Sequence, residues 1–548
     1  MKRTRLVAAL AALLLLAGCA EIPKSGPVGS GPTQVPDEPT FVFLPNPPSP
    51  GAKPEEIVSG FVQAGAGSNF SVARQYLTKD FATRWRPTAG VLVHDKPWDV
   101  VEKGKQFLQL DVQTVARVAP DGTYTPSVQS RKLPFRLEQV NGQWRISEAP
   151  DGIVLAQTVF ERRFKPETLQ FFDSAYKRLV PDVRWFTTRS RPTESVVRAL
   201  LDGQAPPLQG GVTATAFPIG TKLESAATAP DGSTTVVITV PGRDPGRQIT
   251  DRMQQQLLRS LPAVLTLRLV VNGRLAPAAQ ELQVQGPAQV PVVYAGGRFG
   301  TAQSTGAVSE DSVLGKRVAA LKPIAVTVSA RQRLAAVQGG DDRVAVVTPD
   351  ATRVVDRRAG LIDPTLDQLG WTYSVPKDDP TALDAFSRDG RVHRRSIADL
   401  GGSRVTAMEA SPDGTRMLVL VQSPSGGWES NVAGIQRDQS GAPIGLTADR
   451  YPIAVPSGSA IDATWVDDSH VAILTGGADG SDTVVTQQLG GLSSPAGRLS
   501  NAISIVGTSS KSDLRARDNT GNVLEPSGNV WQNVFPSTVD VSVLAVQR

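Results

Sequence analysis

Few residues in this chain have both the type and the setting for chemistry, and the first of them is Cys19. It is the only cysteine in 548 residues, and it closes the run LVAALAALLLLAGC. As a small apolar residue it would merely end a hydrophobic segment. As a thiol it would be an attachment point, because a thiolate is nucleophilic near neutral pH where a serine hydroxyl is not. The flanks favour attachment. Lys2, Arg3 and Arg5 form a positive n-region, and Leu6 to Ala17 is an apolar run of twelve residues. A bilayer span needs about 20 residues, so this run is too short to cross but suits the h-region of a signal peptide. Leu16-Ala17-Gly18 then offers small residues where a signal peptidase takes a narrow, extended substrate.

The remaining candidates are weaker. The chain has three histidines, His94, His393 and His470. His470 follows Asp467 and Asp468, a spacing open to a catalytic dyad or a metal pair, although in a β-repeat the same position is a solvated turn. His94-Asp95 is a local pair with no partner histidine at ligand spacing. No G-x-S-x-G elbow, G-x-x-x-x-G-K-[ST] loop or H-E-x-x-H pair occurs. The acidic turns at Asp479 and Asp518 lack the calcium-loop spacing that ends in glutamate. No catalytic, cofactor-binding or metal-binding residue is therefore assigned. Paired carboxylates for glycoside cleavage need not be near in sequence, so a hydrolase stays open as an alternative.

Leu16-Ala17-Gly18-Cys19 resembles a bacterial lipobox. The resemblance implies a diacylglyceryl thioether on Cys19, cleavage after Gly18, and N-acylation of the freed amine, commonly by palmitate. Each buried CH₂ contributes about 0.8 kcal/mol, and stable anchoring takes more than one chain. A multiply acylated Cys19 meets that condition without a transmembrane helix. No later segment reaches 18 consecutive apolar residues.

The composition, 40% hydrophobic and 20% charged, suffices for real cores, and the length suggests three or four domains. With no second cysteine there is no disulfide, so stability rests on packing. Losing Lys2, Arg3 and Arg5 with the signal takes the formal charge from +5 to +2. The positive charges are scattered, which argues against nucleic acid as a partner.

These residues need elements to carry them. Residues 1–18 read as the signal peptide and 19–53 as the lipidated cysteine and a spacer. The stretch from Ala20 to Pro54 holds ten prolines in 35 residues and builds neither helix nor sheet. Residues 54–160 read as an α+β domain. Ile57, Phe61 and Val62 recur at helical spacing, and Val72, Ala73, Tyr76 and Leu77 form a second apolar side. Alternating strands then turn at Asp121-Gly122 and Asn141-Gly142. Helices followed by a meander ending in VNGQWRIS resemble the nuclear transport factor 2-like fold. Residues 180–285 pair the helix PTESVVRALLDG, with Thr193 as candidate N-cap, with a hairpin turning at Asp231-Gly232. A second helix carries Ile249, Met253, Leu257 and Leu261, and LTLRLVVNGR closes the unit. This pattern resembles the GerMN domain of spore-germination proteins. From residue 318 to 548 helical periodicity stops. Segments such as AMEASPDGTRMLVLV and AIDATWVDDSHVAILT repeat a strand–turn–strand form, which predicts a β-propeller of five or six blades.

The order of these parts, with LVPDVRW (179–185) leading into the GerMN-like region, resembles the actinobacterial LpqB lipoprotein family. The resemblance implies a membrane-anchored protein on the extracytoplasmic face of the cell membrane. It further implies an accessory role toward the sensor histidine kinase MtrB, which acts with the response regulator MtrA in cell-wall homeostasis and division. It implies no enzyme and no cofactor. A cell-wall glycan-binding scaffold or hydrolase is the alternative.

Overall fold

The computed structural model describes residues 45–548 except 68, 189–191, 243, 262–263, 280–289, 304, 310–311, 330, 508–509, 537 and 548. Cys19, the signal segment and most of the spacer lie outside the described residues. No helix among those described is long and apolar enough to cross a membrane.

The first fold is α+β. Helix α1 (Pro54–Ala64) starts on a proline, whose missing N–H would be unpaired there anyway, and carries Glu55 and Glu56 in its first turn. Its buried stripe of Ile57, Val58, Phe61 and Val62 faces the sheet. Two short helices follow, α2 (Ser71–Gln75) and α3 (Lys79–Arg84). The strands are β1 (Val91–His94), β2 (Asp99–Gly104), β3 (Phe107–Val118), β4 (Tyr124–Val140), β5 (Gln143–Glu148) and β6 (Ile153–Ala156). They run in the order β5-β4-β3-β1-β6, with β2 beside β3. Asn141 and Gly142 both adopt positive φ, as a tight hairpin turn between Val140 and Gln143 requires.

Helix α4 (Gln157–Arg163) hands the chain to the second fold. This begins at β7 (Phe164–Asp173), earlier than residue 180, because Leu169, Phe171 and Phe172 of β7 pack into its core. β7 pairs with β8 (Leu179–Thr187) and with β9 (Thr213–Ala214). Helix α5 (Pro192–Asp202) contributes Val196, Val197 and Leu200 to the same core. Thr193 falls inside the first turn of α5 instead of capping it, and its hydroxyl meets that of Thr228 at 2.8 Å. β10 (Lys222–Thr228) and β11 (Ser233–Thr239) form the expected hairpin. Helix α6 (Arg247–Ser260) then crosses to β12 (Thr266–Val271), which lies parallel to β11 and is followed by β13 (Arg274–Leu275).

The third fold is a six-bladed propeller that opens ahead of residue 318. β14 (Val290–Ala295), β15 (Arg298–Ala302) and β16 (Val308–Ser309) form three strands of one blade. The fourth and innermost strand of that blade is β37 (Val541–Gln547), paired antiparallel to β14. The other blades are β17–β20 (323–356), β21–β24 (365–394), β25–β28 (404–453), β29–β32 (459–500) and β33–β36 (502–533). The innermost strands β37, β17, β21, β25, β29 and β33 adjoin in a closed ring. Joining the last strand to the first blade removes the open edge that a linear array would leave.

Candidate functional site

Strand β8, the LVPDVRW segment, is buried almost end to end, from Val180 to Trp185. A strand normally alternates, so continuous burial means that protein covers both of its faces. Asp182 and Arg184 lie two apart and share one face. Arg184 donates from Nε and Nη2 to Asp182 at 3.0 and 2.8 Å, and both side chains are 1% exposed. Its Nη1 reaches Asp121 in the β3–β4 turn of the first fold at 2.9 Å, and Nη2 also donates to the Gly203 carbonyl. Asp182 in turn accepts the Ala205 N–H at 2.8 Å. Burial alone would lower the Arg184 pKa, but Asp182 and Asp121 push it above its ordinary value. The guanidinium thus ties the first fold to the second.

The propeller closes on the same strand. In the Ser411-Pro412-Asp413-Gly414 turn, Asp413 accepts from Ser411 Oγ at 2.7 Å and from Thr415 N at 2.8 Å, and it pairs with buried Arg416. Burial opposes ionisation of Asp413, yet Arg416 and these donors hold its pKa below the usual carboxylate value. Arg416 lies over the Trp465 ring at 5.1 Å and donates to the carbonyls of Asp468 at 2.6 Å and Pro181 at 3.4 Å. Arg178, just before β8, reaches the Asp413 carbonyl at 3.2 Å. Trp185 Nε1 donates to the Gly490 carbonyl at 2.9 Å, joining the first fold's core to the propeller. Val180, Ala205, Leu208 and Val212 pack with Leu418, Leu420, Val432, Tyr451 and Trp465 in one apolar cluster. Three folds therefore meet on one strand.

Cys19 lies outside the described residues, and the three histidines stand on three separate elements. His94 lies at the end of β1, with Nδ1 2.7 Å from the Lys96 carbonyl. His393 lies on the outer strand of the third blade. His470 opens the second strand of the fifth blade, its Nδ1 3.0 Å from both Asp467 oxygens and from Ser469 Oγ. Asp467 also accepts the backbone N–H groups of Ser469 and His470 at 2.6 and 2.8 Å. Burial would raise the Asp467 pKa, but these partners hold it lower than usual. The pair is a turn lock. Asp479 and Asp518 do the same work in their own turns, accepting from Ser481 and from Thr520 and Asn522. Among the described residues no group of three or more His, Cys, Asp or Glu is placed to hold a metal ion.

The ion pairs around β8 carry a signal that motif searching passes over. LVPDVRW sets an acid and a base two residues apart within an apolar strand, which puts them on one buried face with each other as partners. SPDG reads as generic propeller architecture, but its Asp413 also positions the arginine that holds β8.

Three family models match in succession. "Lipoprotein LpqB, N-terminal domain" matches residues 47–161, "Sporulation and spore germination" matches 168–275, and "Lipoprotein LpqB beta-propeller domain" matches 284–543. The chain is a multidomain protein joining α+β folds to a β-propeller, and it belongs to the LpqB lipoprotein family. The Lipoprotein LpqB of Cutibacterium acnes is 28% identical over 467 residues, covering 75% of this chain and 76% of that protein. The one from Streptomyces coelicolor is 27% identical over 610 aligned positions, covering 97% and 96%. The one from Thermobifida fusca is 27% identical, covering 86% and 79%.

Proposed function

We propose that this chain is a lipid-tethered docking protein of the extracytoplasmic membrane face, anchored through Cys19, that modulates the sensor histidine kinase MtrB and through it MtrA. The observation that carries the reading is the shared junction on β8. Three folds joined by buried ion pairs and one apolar cluster offer a single composite surface. A protein that biases a kinase needs only differential contacts with the kinase's two states and no reacting group of its own. Anchoring on the same membrane raises the effective concentration of both partners, so a weak interface suffices. The relatives' shared designation as lipoproteins supports the anchor.

The test is site-specific photocrosslinking in membranes, with probes on exposed positions of each fold. Deleting whole folds is unsuitable, because it would strip partners from buried Arg184 and Arg416. Crosslinks to the kinase from residues 164–548, lost with Cys19→Ala and restored by an unrelated membrane anchor, are expected. Crosslinks confined to residues 54–160 would move the docking face to the first fold. Retention on isolated wall glycan with no kinase crosslink would favour a glycan scaffold.

A further inference from the structure

The first fold encloses a cavity of about 330 Å³ between its helices and its sheet. That volume is at the lower end of the roughly 300–1,000 Å³ typical of small-molecule sites. The wall mixes polar and apolar surface, its apolar part coming from Phe61 and Val62 of α1, Val91 of β1, Phe135 of β4 and Ile153 of β6. Two of the lining residues carry buried donors. Trp85 is 2% exposed, and its indole N–H has no hydrogen-bond acceptor. Arg131 stands opposite Val112 in the β3–β4 ladder, on the face that continues through Leu133, Phe135 and Leu137. An arginine thus occupies a position where the period-two pattern calls for an apolar side chain. Its Nη2 donates to Gln129 at 3.1 Å, while its Nε is buried without an acceptor.

Buried donors left without partners are costly and uncommon, and two of them belong to residues that line this one cavity, which points to an acceptor brought from outside. The charge balance indicates the sign of that acceptor. Asp151 is the one carboxylate in the lining, and Arg86 occupies it through bonds of 2.9, 2.9 and 2.7 Å. Arg131 and Arg117 remain as the uncompensated charges of the wall. We propose that this cavity binds an amphiphile with an apolar body and an anionic head, whose oxygens accept from Trp85 Nε1 and the Arg131 guanidinium. A fatty acid or a lipid-derived phosphate ester shares that chemistry. The site is independent of kinase docking.

The test uses the chain from residue 20 onward, which retains every described residue, in detergent-free buffer. Octyl phosphate, octanoate, octanol and octyltrimethylammonium are titrated below their micellar concentrations and followed by calorimetry. One saturable site is expected for the two anions, at least tenfold tighter than for octanol, with none for the cation. Tighter octyl phosphate indicates a phosphate ester, and tighter octanoate a fatty acid. Arg131→Gln should weaken the anions about tenfold and leave octanol unchanged, and Trp85→Phe should weaken them several-fold. If Trp85→Phe fails to fold, Arg131→Gln at its half-buried position still decides. No saturable binding, which would mean a cavity holding only water, overturns the proposal. So does equal affinity for octanol and the anions, or anion binding unmoved by Arg131→Gln.

Discussion

Arg184 and Asp462 show how burial treats a charge that is well partnered and one that is not. Every direction around the Arg184 guanidinium is met by an acceptor. Removing one member of such a buried pair strands the other, at a cost of about 3–5 kcal/mol. Arg184→Met should therefore lower the denaturant stability of the chain by that amount. Adding Asp182→Asn should recover part of the loss, since no unpaired charge then stays inside. Asp462, on the innermost strand of the fifth blade, accepts only the backbone N–H groups of Ala463 and Ile505, each at 2.8 Å. Burial, reinforced by the nearby Asp363 and Glu409 carboxylates, pushes it up to about 8. A carboxyl titrates near 3.9 in an unfolded chain. The native state thus holds the proton more tightly, and the stability this group contributes is complete below about pH 4 and is lost as pH rises through 8. Thermal unfolding should shift downward between pH 5 and 9, and Asp462→Asn should flatten that slope. Asp413 and Asp467 act in the opposite sense, because their lowered pKa values withdraw stability only as pH falls below the usual carboxylate range.

At the scale of elements, the hairpins were the most legible part of the sequence. Asp121-Gly122, Asn141-Gly142, Asp231-Gly232 and Asp413-Gly414 each place a glycine at positive φ beside a side chain suited to a tight turn. Gly122 shows why glycine is needed, since a Cβ there would stand 3.0 Å from the Trp185 carbonyl oxygen and 3.1 Å from its nitrogen. Helices α1, α5 and α6 follow their apolar periodicity. β37 could not be assigned from its own pattern. An apolar strand some 240 residues after β14 does not announce that it completes the blade begun there. Its Val541, Val543 and Ala545 are buried against the first blade. Deleting residues 541–548 should leave that blade without its inner strand and open the ring. The expected outcome is a lower, broader unfolding transition of the propeller by calorimetry, together with dye binding to the exposed apolar edge. An unchanged transition would mean that the closure adds nothing.

At the scale of the whole molecule, the three folds act as neighbours of one strand. The chain itself determined which segments become helix, hairpin or repeated blade, because those choices depend on turn chemistry and on spacing over a few residues. It also set the order of the three folds. The tertiary structure decided what those segments face. The starts of the second and third folds shifted because β7 and β14 find their partners by packing across distant sequence. LVPDVRW became a junction because Asp121, Ala205, Arg416 and Gly490, spread over some 370 residues, converge on it. The unpaired donors of Trp85 and Arg131 likewise have meaning only once a helix and a sheet enclose one cavity. Local sequence encodes local geometry, whereas burial and hydrogen-bond satisfaction belong to surfaces that exist only after the chain has closed on itself.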